Sequence, residues 1–351
     1  MALSTIYDAL IVGGGPAGLA AALGLARVNR SALLFDSGVY RNTGAEAMHT
    51  FLTRDGTNPG EFRRLARGQL EGNPKYSHVA FRDRRVITVS KTVIESTTTT
   101  TTTTTPVQSL INDDNTCPAT GYVGFQVMDE TNQIYTGRKL ILATGTEDVL
   151  PSIEGYSENW PEHIYQCPFC DGLEQKESPI GVLFEDASYT HLAFMAINFN
   201  PAVTLFTNGP LAATDPAVQK GVNTVLAVKG TKLDQRRIVR FVNNGPGHEN
   251  GISVHFEDGP AVTLGMILHR APTRNRAQAL FDQLGLNLKD LPSAEAQVDP
   301  LFGESSLPGC FVAGDTMEGI KQVAFAQASG VRAASGANFQ LINEEIAKMS
   351  K

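Results

Sequence analysis

The stretch Tyr7-Asp8-Ala9-Leu10-Ile11-Val12-Gly13-Gly14-Gly15-Pro16-Ala17-Gly18 decides the fold, together with Ser31-Ala32-Leu33-Leu34-Phe35-Asp36 after it. Its first six residues form a short, mostly apolar strand, and residues 13–18 spell a G-x-G-x-x-G turn. Residues 19–28 read as a small-residue helix, and residues 31–36 as a second strand that ends in an acid. Strand, glycine turn, helix, strand and carboxylate within ~30 residues make a dinucleotide-binding βαβ unit. Gly13 permits the turn, Gly15 lets the backbone approach a pyrophosphate, and Gly18 lets helix and strand pack closely. The helix start, with Pro16 and Ala17, turns its partial positive charge toward the phosphates. Asp36 is placed to hydrogen-bond the ribose hydroxyls of the adenosine.

Two later segments repeat the theme. Lys139-Leu140-Ile141-Leu142-Ala143-Thr144-Gly145 is a buried strand running into a small-residue turn, and Gly309-Cys310-Phe311-Val312-Ala313-Gly314-Asp315 is another, followed by a helix over 322–339. Turns so far apart, both suited to close contact with a ligand, predict one domain split by an insert. The expected architecture is α/β, with two Rossmann-like, three-layer ββα domains. The first takes in residues 1–153 and 262–351, and the smaller insert residues 154–261. Nine threonines at 97–105, closed by Pro106, lack the alternation that defines a core side. Residues 96–106 therefore read as a disordered surface loop between strands of a small meander.

A formal charge of −7 over 351 residues argues against a nucleic-acid or anionic-membrane surface. No apolar run approaches the ~18 residues of a membrane span, and residues 1–8 lack a secretory pattern, so a cytoplasmic protein is expected. Of four cysteines, Cys167 and Cys170 form a C-x-x-C, while Cys117 and Cys310 stand apart. A structural zinc normally requires a second pair, so redox chemistry is the expectation and no metal is expected. Two thiols at this spacing, the first near a helix start, favour a reactive thiolate and easy ring closure.

In order and spacing, residues 13–18, Ala143-Thr144-Gly145, Cys167-Pro168-Phe169-Cys170-Asp171-Gly172 and Gly314-Asp315 with Lys321-Gln322-Val323-Ala324 resemble the low-molecular-weight thioredoxin reductase family. The resemblance covers essentially the whole chain. It implies FAD, held by Gly13, Gly15, Pro16, Ala17, Gly18, Asp36, Ser37, Arg41, Asn42, His49, Ala143, Thr144, Gly145, Gly314, Asp315, Gln322 and Val323. It makes residues 1–153 and 262–351 the FAD domain and residues 154–261 an NAD(P)-domain-like unit that carries the cysteines. It implies that Cys170 exchanges electrons with the flavin, Cys167 with substrate, and that Asp171 manages protons. It also implies a homodimer. His163, four residues before Cys167, is a further candidate base, although an ordinary loop histidine is an equal reading.

The insert departs from a reductase. Its second strand–turn–helix unit should begin at Pro179-Ile180-Gly181-Val182-Leu183-Phe184, but counting back from Val203 puts Phe184, Glu185 and Asp186 where the family has glycines. A phenylalanine closes the space a pyrophosphate needs, and each like-charge pair at 4 Å costs ~1–4 kcal/mol. A helix-dipole gain of ~1 kcal/mol does not compensate. Thr207-Asn208-Gly209 stands where basic residues would hold a 2′-phosphate. NADPH is therefore not expected to bind in the usual place. Electrons can instead run from a dithiol through Cys167 and Cys170 to FAD and then dioxygen. The chain accordingly also resembles the fungal dithiol oxidases that close the disulfide of gliotoxin-type epidithiodiketopiperazines, through Phe35-Asp36-Ser37-Gly38, Arg41-Asn42, Met48-His49-Thr50-Phe51-Leu52, Asp55-Gly56 with Pro59, and His269-Arg270.

One departure from those oxidases is Asp171, where they often carry a histidine. Proton handling therefore stays open among Asp171, His49, His163 and His269. The expected partners are a small-molecule dithiol and dioxygen. A divergent thioredoxin reductase with an unusual electron donor and a non-catalytic flavin-binding module are the competing readings.

Overall fold

The computed structural model describes residues 5–95, 121–211, 215–289 and 295–350, in two compact units. Cys117 and the threonine-rich 96–106 lie outside the described residues.

The first unit comprises residues 1–41, 60–147 and 273–351. Its sheet runs Val79–Arg82, Ala32–Phe35, Ile6–Val12, Ile134–Leu142, Gly121–Asp129, Val86–Glu95, with Cys310–Val312 pairing beside Ile134–Leu142. The pairs from Val79–Arg82 to Ile134–Leu142 are parallel, and the last two are antiparallel. Alternation along Ile6–Val12 fixes the layers. Ala9 and Ile11 join a core under the helices, while Leu10 and Val12 join one on the other face with Phe125, Leu280 and Phe281. The helices Pro16–Arg27 and Val323–Met349 pack through small residues. A Cβ on Gly330 would lie 2.1 Å from the Ala17 carbonyl oxygen, so the backbones meet directly.

The second unit comprises residues 42–59 and 148–272. A parallel sheet runs Lys232–Asp234, Val203–Phe206, Ile180–Leu183, Met266–Leu268, Ile164–Tyr165. The helices Tyr189–Phe199 and Pro216–Leu226 cover one face, and the antiparallel strands Ile238–Asn243, Ile252–Phe256 and Val262–Leu264 cover the other. Asp215 starts the second helix, its carboxylate accepting from the backbone N–H groups of Ala217 and Val218. The unit extends past the boundary expected at 261, because Met266–Leu268 is an inner strand of its sheet. It also draws in residues 42–59, where Met48 and Thr57 form an antiparallel bridge.

Candidate functional site

In the first unit the glycine turn divides its labour. Gly13 has φ +121° and a Cβ there would sit 2.1 Å from the Ala143 carbonyl oxygen, while a Cβ on Gly18 would sit 1.8 Å from the Gly13 carbonyl oxygen. Gly15 is different: among the described residues nothing beyond its chain neighbours lies within 4 Å of the Cβ it lacks. The helix it caps has Pro16 at its start, no acid in its first turn and no side-chain cap. Open space at a helix N-terminus suits an anionic ligand.

Other residues converge on the same unit. Asp36 accepts from the Gly38 N–H at 2.9 Å and the Tyr40 hydroxyl at 2.5 Å. Asp36 and Tyr40 line a cavity of about 260 Å³ with Gly14, Arg63, Arg67 and Phe81, and the Arg63 guanidinium lies 3.8 Å from the Tyr40 ring centroid. Arg41 donates to Asp315 at 3.2 Å, joining two expected cofactor residues from opposite ends of the chain. Gly314, at φ +80°, places its missing Cβ 3.0 Å from the Ala17 Cβ. The Thr144 hydroxyl is buried without a hydrogen-bond partner among the described residues, a cost that a polar ligand relieves. Gln322 caps the helix that Val323 begins, Gly145 has φ +70°, and Ser37 is exposed. This donor set, with its open turn, fits a dinucleotide.

The second unit holds the thiols. Cys167 caps the short helix Pro168–Asp171, and the Cys170 N–H donates to the Cys167 carbonyl at 3.0 Å. Both cysteines are partly exposed. Phe169 between them is 63% exposed, and Leu173 is 64% exposed. Burial, then the negative fields of Cys167 and Glu174, push the Asp171 carboxyl up to about 8. Such a group holds a proton at neutral pH and gives it up slightly above, as proton transfer with thiols requires.

The same unit contains the second βαβ turn, and hydrogen bonds set its register. The Gly13 N–H donates to the Phe35 carbonyl at 2.8 Å, and the Phe184 N–H donates to the Phe206 carbonyl at 2.8 Å. Likewise the Asp36 N–H meets the Arg82 carbonyl and the Thr207 N–H meets that of Asp234. Phe184 thus stands where Gly13 does, Asp186 where Gly15 does, and Thr207 where Asp36 does. The Phe184 side chain is buried against Tyr189 and the helix core. Asp186 accepts the Ser188 N–H at 2.7 Å through its side chain and the Tyr189 N–H at 3.1 Å through its carbonyl.

The chain thus combines two units of this topology, with a glycine turn in one and a C-x-x-C in the other. Residues 7–330 match the pyridine nucleotide-disulphide oxidoreductase family. The chain belongs to that family. It is similar to a protein named thioredoxin reductase tcpT from Claviceps purpurea, 35% identical over 97% of this chain and 96% of that one. It is similar as well to thioredoxin reductase sirT from Leptosphaeria maculans, 33% identical over 99% and 98%. The crystal structure of an oxidoreductase from Agrobacterium tumefaciens superposes with a TM-score of 0.78 at 27% identity, covering 96% of this chain and 99% of that one. As a member of the pyridine nucleotide-disulphide oxidoreductase family, the chain is an FAD-dependent thiol/disulfide oxidoreductase. When bound, the flavin supplies a two-electron acceptor that can pass electrons onward.

Within this oxidoreductase the histidines part company. His163 is fully buried and its Nε2 donates to the Gly245 carbonyl at 3.0 Å, which anchors it in the fold rather than freeing it as a base. His269 is fully buried too. Its Nδ1 lies 2.5 Å from the Tyr156 hydroxyl, its ring stacks on Tyr189, and its Nε2 lies 3.1 Å from Glu185. The structure therefore places His269 at the altered turn, bound up with the carboxylate that replaced a glycine. Asn42 and His49, expected with the cofactor residues, fall in the second unit. His49 lies 3.7 Å from Glu174 and 3.4 Å from Asp55. Among the described residues no group of three or more His, Cys, Asp or Glu could hold a metal, and no helix is long and apolar enough to cross a membrane. Cys310 is a core residue whose thiol burial pushes up to about 12.

Sequence reading missed Tyr40, Arg63 and Glu174. The first two follow Asp36 without a motif, but Glu174 lies three residues after Asp171 and was open to notice as a near neighbour.

Proposed function

We propose that the protein oxidises a small-molecule dithiol, of the kind made in fungal secondary metabolism, to its disulfide, with dioxygen as final acceptor. The observation that carries this reading is the second βαβ turn. Phe184, Glu185 and Asp186 replace the glycines, and Asp186 engages the helix-start amide that a pyrophosphate would use. The cysteine pair and a proton-holding Asp171 are nevertheless kept.

The chemistry uses ordinary thiol–disulfide exchange. A substrate thiolate attacks Cys167 of the Cys167–Cys170 disulfide, and Cys170 leaves as a thiolate. The second substrate thiolate attacks the substrate sulfur of that mixed disulfide, releasing Cys167 and the cyclic product. Asp171 receives and returns protons as the sulfurs change charge. Phe169, exposed between the cysteines, offers an apolar surface to a small substrate. FAD held by the Gly13–Gly18 turn would supply the acceptor for the electron pair left on the cysteines, with dioxygen as the final oxidant and hydrogen peroxide as its product. Mixing the enzyme anaerobically with dithiothreitol and, separately, with NADPH tests the direction of flow. Bleaching by the dithiol alone supports the reading; bleaching by NADPH within seconds contradicts it. The relatives' name, thioredoxin reductase, favours a second reading in which the chain reduces a disulfide rather than forms one.

A further inference from the structure

Closing a disulfide in a dithiol releases two electrons and two protons. On the reading proposed above, a bound flavin would account for the electron pair and one proton, and the other proton must leave the cysteine site. Both protons end on dioxygen as hydrogen peroxide, so the balance is dithiol plus dioxygen to disulfide plus peroxide. Cys170 and Asp171 lie on one short helix, and Asp171 is half-buried. A path from there to water is needed.

Residues 42–59 supply one. The segment belongs to the unit of the cysteines and closes on itself where the Met48 N–H donates to the Thr57 carbonyl at 2.9 Å and the Gly56 N–H to the Met48 carbonyl at 2.9 Å. His49 follows Met48. Its Nε2 lies 3.7 Å from the Glu174 carboxylate and its Nδ1 3.4 Å from that of Asp55. The Thr50 N–H donates to Asp55 at 2.8 Å, which holds that acid in place. Side-chain exposure is 28% at Glu174, 19% at His49 and 68% at Asp55, so the Asp55 end of the path lies open to solvent. Glu174 in turn follows Asp171 by three residues and acts on its charge. An imidazole between two carboxylates can take a proton on one nitrogen and release it from the other.

We propose that His49, bridging Glu174 and Asp55, is the positioning and relay residue that moves protons between the Cys167–Asp171 segment and solvent. The inference rests on the dithiol-oxidation reading for its substrate. The ionisable groups around the path are Cys167, Asp171, Glu174, His49 and Asp55. Tyr165 stands nearby, under the fields of Asp171, Glu162, Glu46 and Glu174, and its hydroxyl meets His248 Nδ1 at 3.2 Å. Burial pushes that phenol's proton affinity up, so it is a poor relay at neutral pH.

The test is anaerobic stopped-flow bleaching of the flavin by dithiothreitol from pH 6 to 9, on FAD-loaded protein. His49→Gln should retain its flavin but bleach on the order of 10²-fold more slowly, with an altered pH profile. His49→Ala should be slow and regain rate with added imidazole, a rescue that a merely structural histidine does not allow. His248→Gln should behave as wild type. A His49→Gln variant with the wild-type rate and pH profile overturns the relay, as does a slow His49→Ala that imidazole leaves unchanged. Wild-type enzyme that bleaches with dithiothreitol but yields no peroxide in air defeats the oxidase reading and leaves the relay standing. Wild-type enzyme that no dithiol bleaches defeats both.

Discussion

The Asp186 carboxylate accepts the Ser188 N–H at 2.7 Å, at the start of the helix Tyr189–Phe199. In the first unit the corresponding residue is Gly15, which presents open space. One fold thus contains the same turn twice, once open to an anion and once closed by the chain's own anion. Asp186→Ala removes this bond, and a loss of about 1 kcal/mol is expected by urea unfolding. It should gain no reduction by NADPH, because Phe184 and Thr207 still stand in the turn. Rapid flavin bleaching of the variant by NADPH contradicts this account of the second unit.

Two glycines of the first turn should fail differently. Gly15→Asp has room for its side chain, so the protein should fold with native circular dichroism yet purify without colour, its carboxylate opposing a pyrophosphate. Gly13→Ala forces a Cβ into the Ala143 carbonyl and should lose solubility or stability before cofactor binding is at issue. Flavin content per folded protein, measured for both variants, separates the two effects.

Asp171 makes stability depend on pH with a definite sign. Its carboxyl titrates near 8 in the folded chain, against an ordinary value of 3.8. Between these values the folded state binds more protons than the unfolded one, so its contribution to stability falls as pH rises from about 4 to about 8. Asp171→Asn removes that dependence. The melting temperature of the variant should gain on wild type steadily from pH 5 to pH 8. Flavin reduction by dithiols should slow on the order of 10²-fold. Parallel melting curves at every pH, with an unchanged rate, contradict the buried-acid assignment.

The cysteines should divide their tasks. With Cys170 assigned to the flavin, Cys167→Ser should leave a thiolate that produces long-wavelength absorbance, and it should not turn over dithiols. Cys170→Ser should lack that absorbance, yet its remaining thiol should trap a mixed disulfide visible by mass spectrometry. The reverse pattern, with absorbance in Cys170→Ser, exchanges the two roles.

The parts of this molecule legible in sequence are those dictated locally. Gly13 and Gly18 are required by contacts within one βαβ unit, and the strand Ile6–Val12 shows its faces by alternation. Phe184, Glu185 and Asp186 were equally plain, because a lost glycine is visible wherever a turn is expected. Non-local pairing hid the rest. Met266–Leu268 enters the second sheet beside Ile180–Leu183, more than 80 residues earlier, so the break expected at 261 falls at 272. Nothing in residues 42–59 announces that they join the cysteine unit, so the sequence alone does not bring His49 to Glu174. The burial of His163 and His269 likewise depends on distant partners, Gly245 for one and Tyr156 for the other.

The most direct test of dithiol oxidation is the peroxide yield per disulfide formed, in air, with dithiothreitol as the only reductant and no NADPH. The account predicts one hydrogen peroxide for each disulfide, with oxygen uptake abolished in the double variant Cys167→Ser, Cys170→Ser. Oxygen-independent disulfide reduction that requires NADPH, or full peroxide release by the double variant, contradicts it.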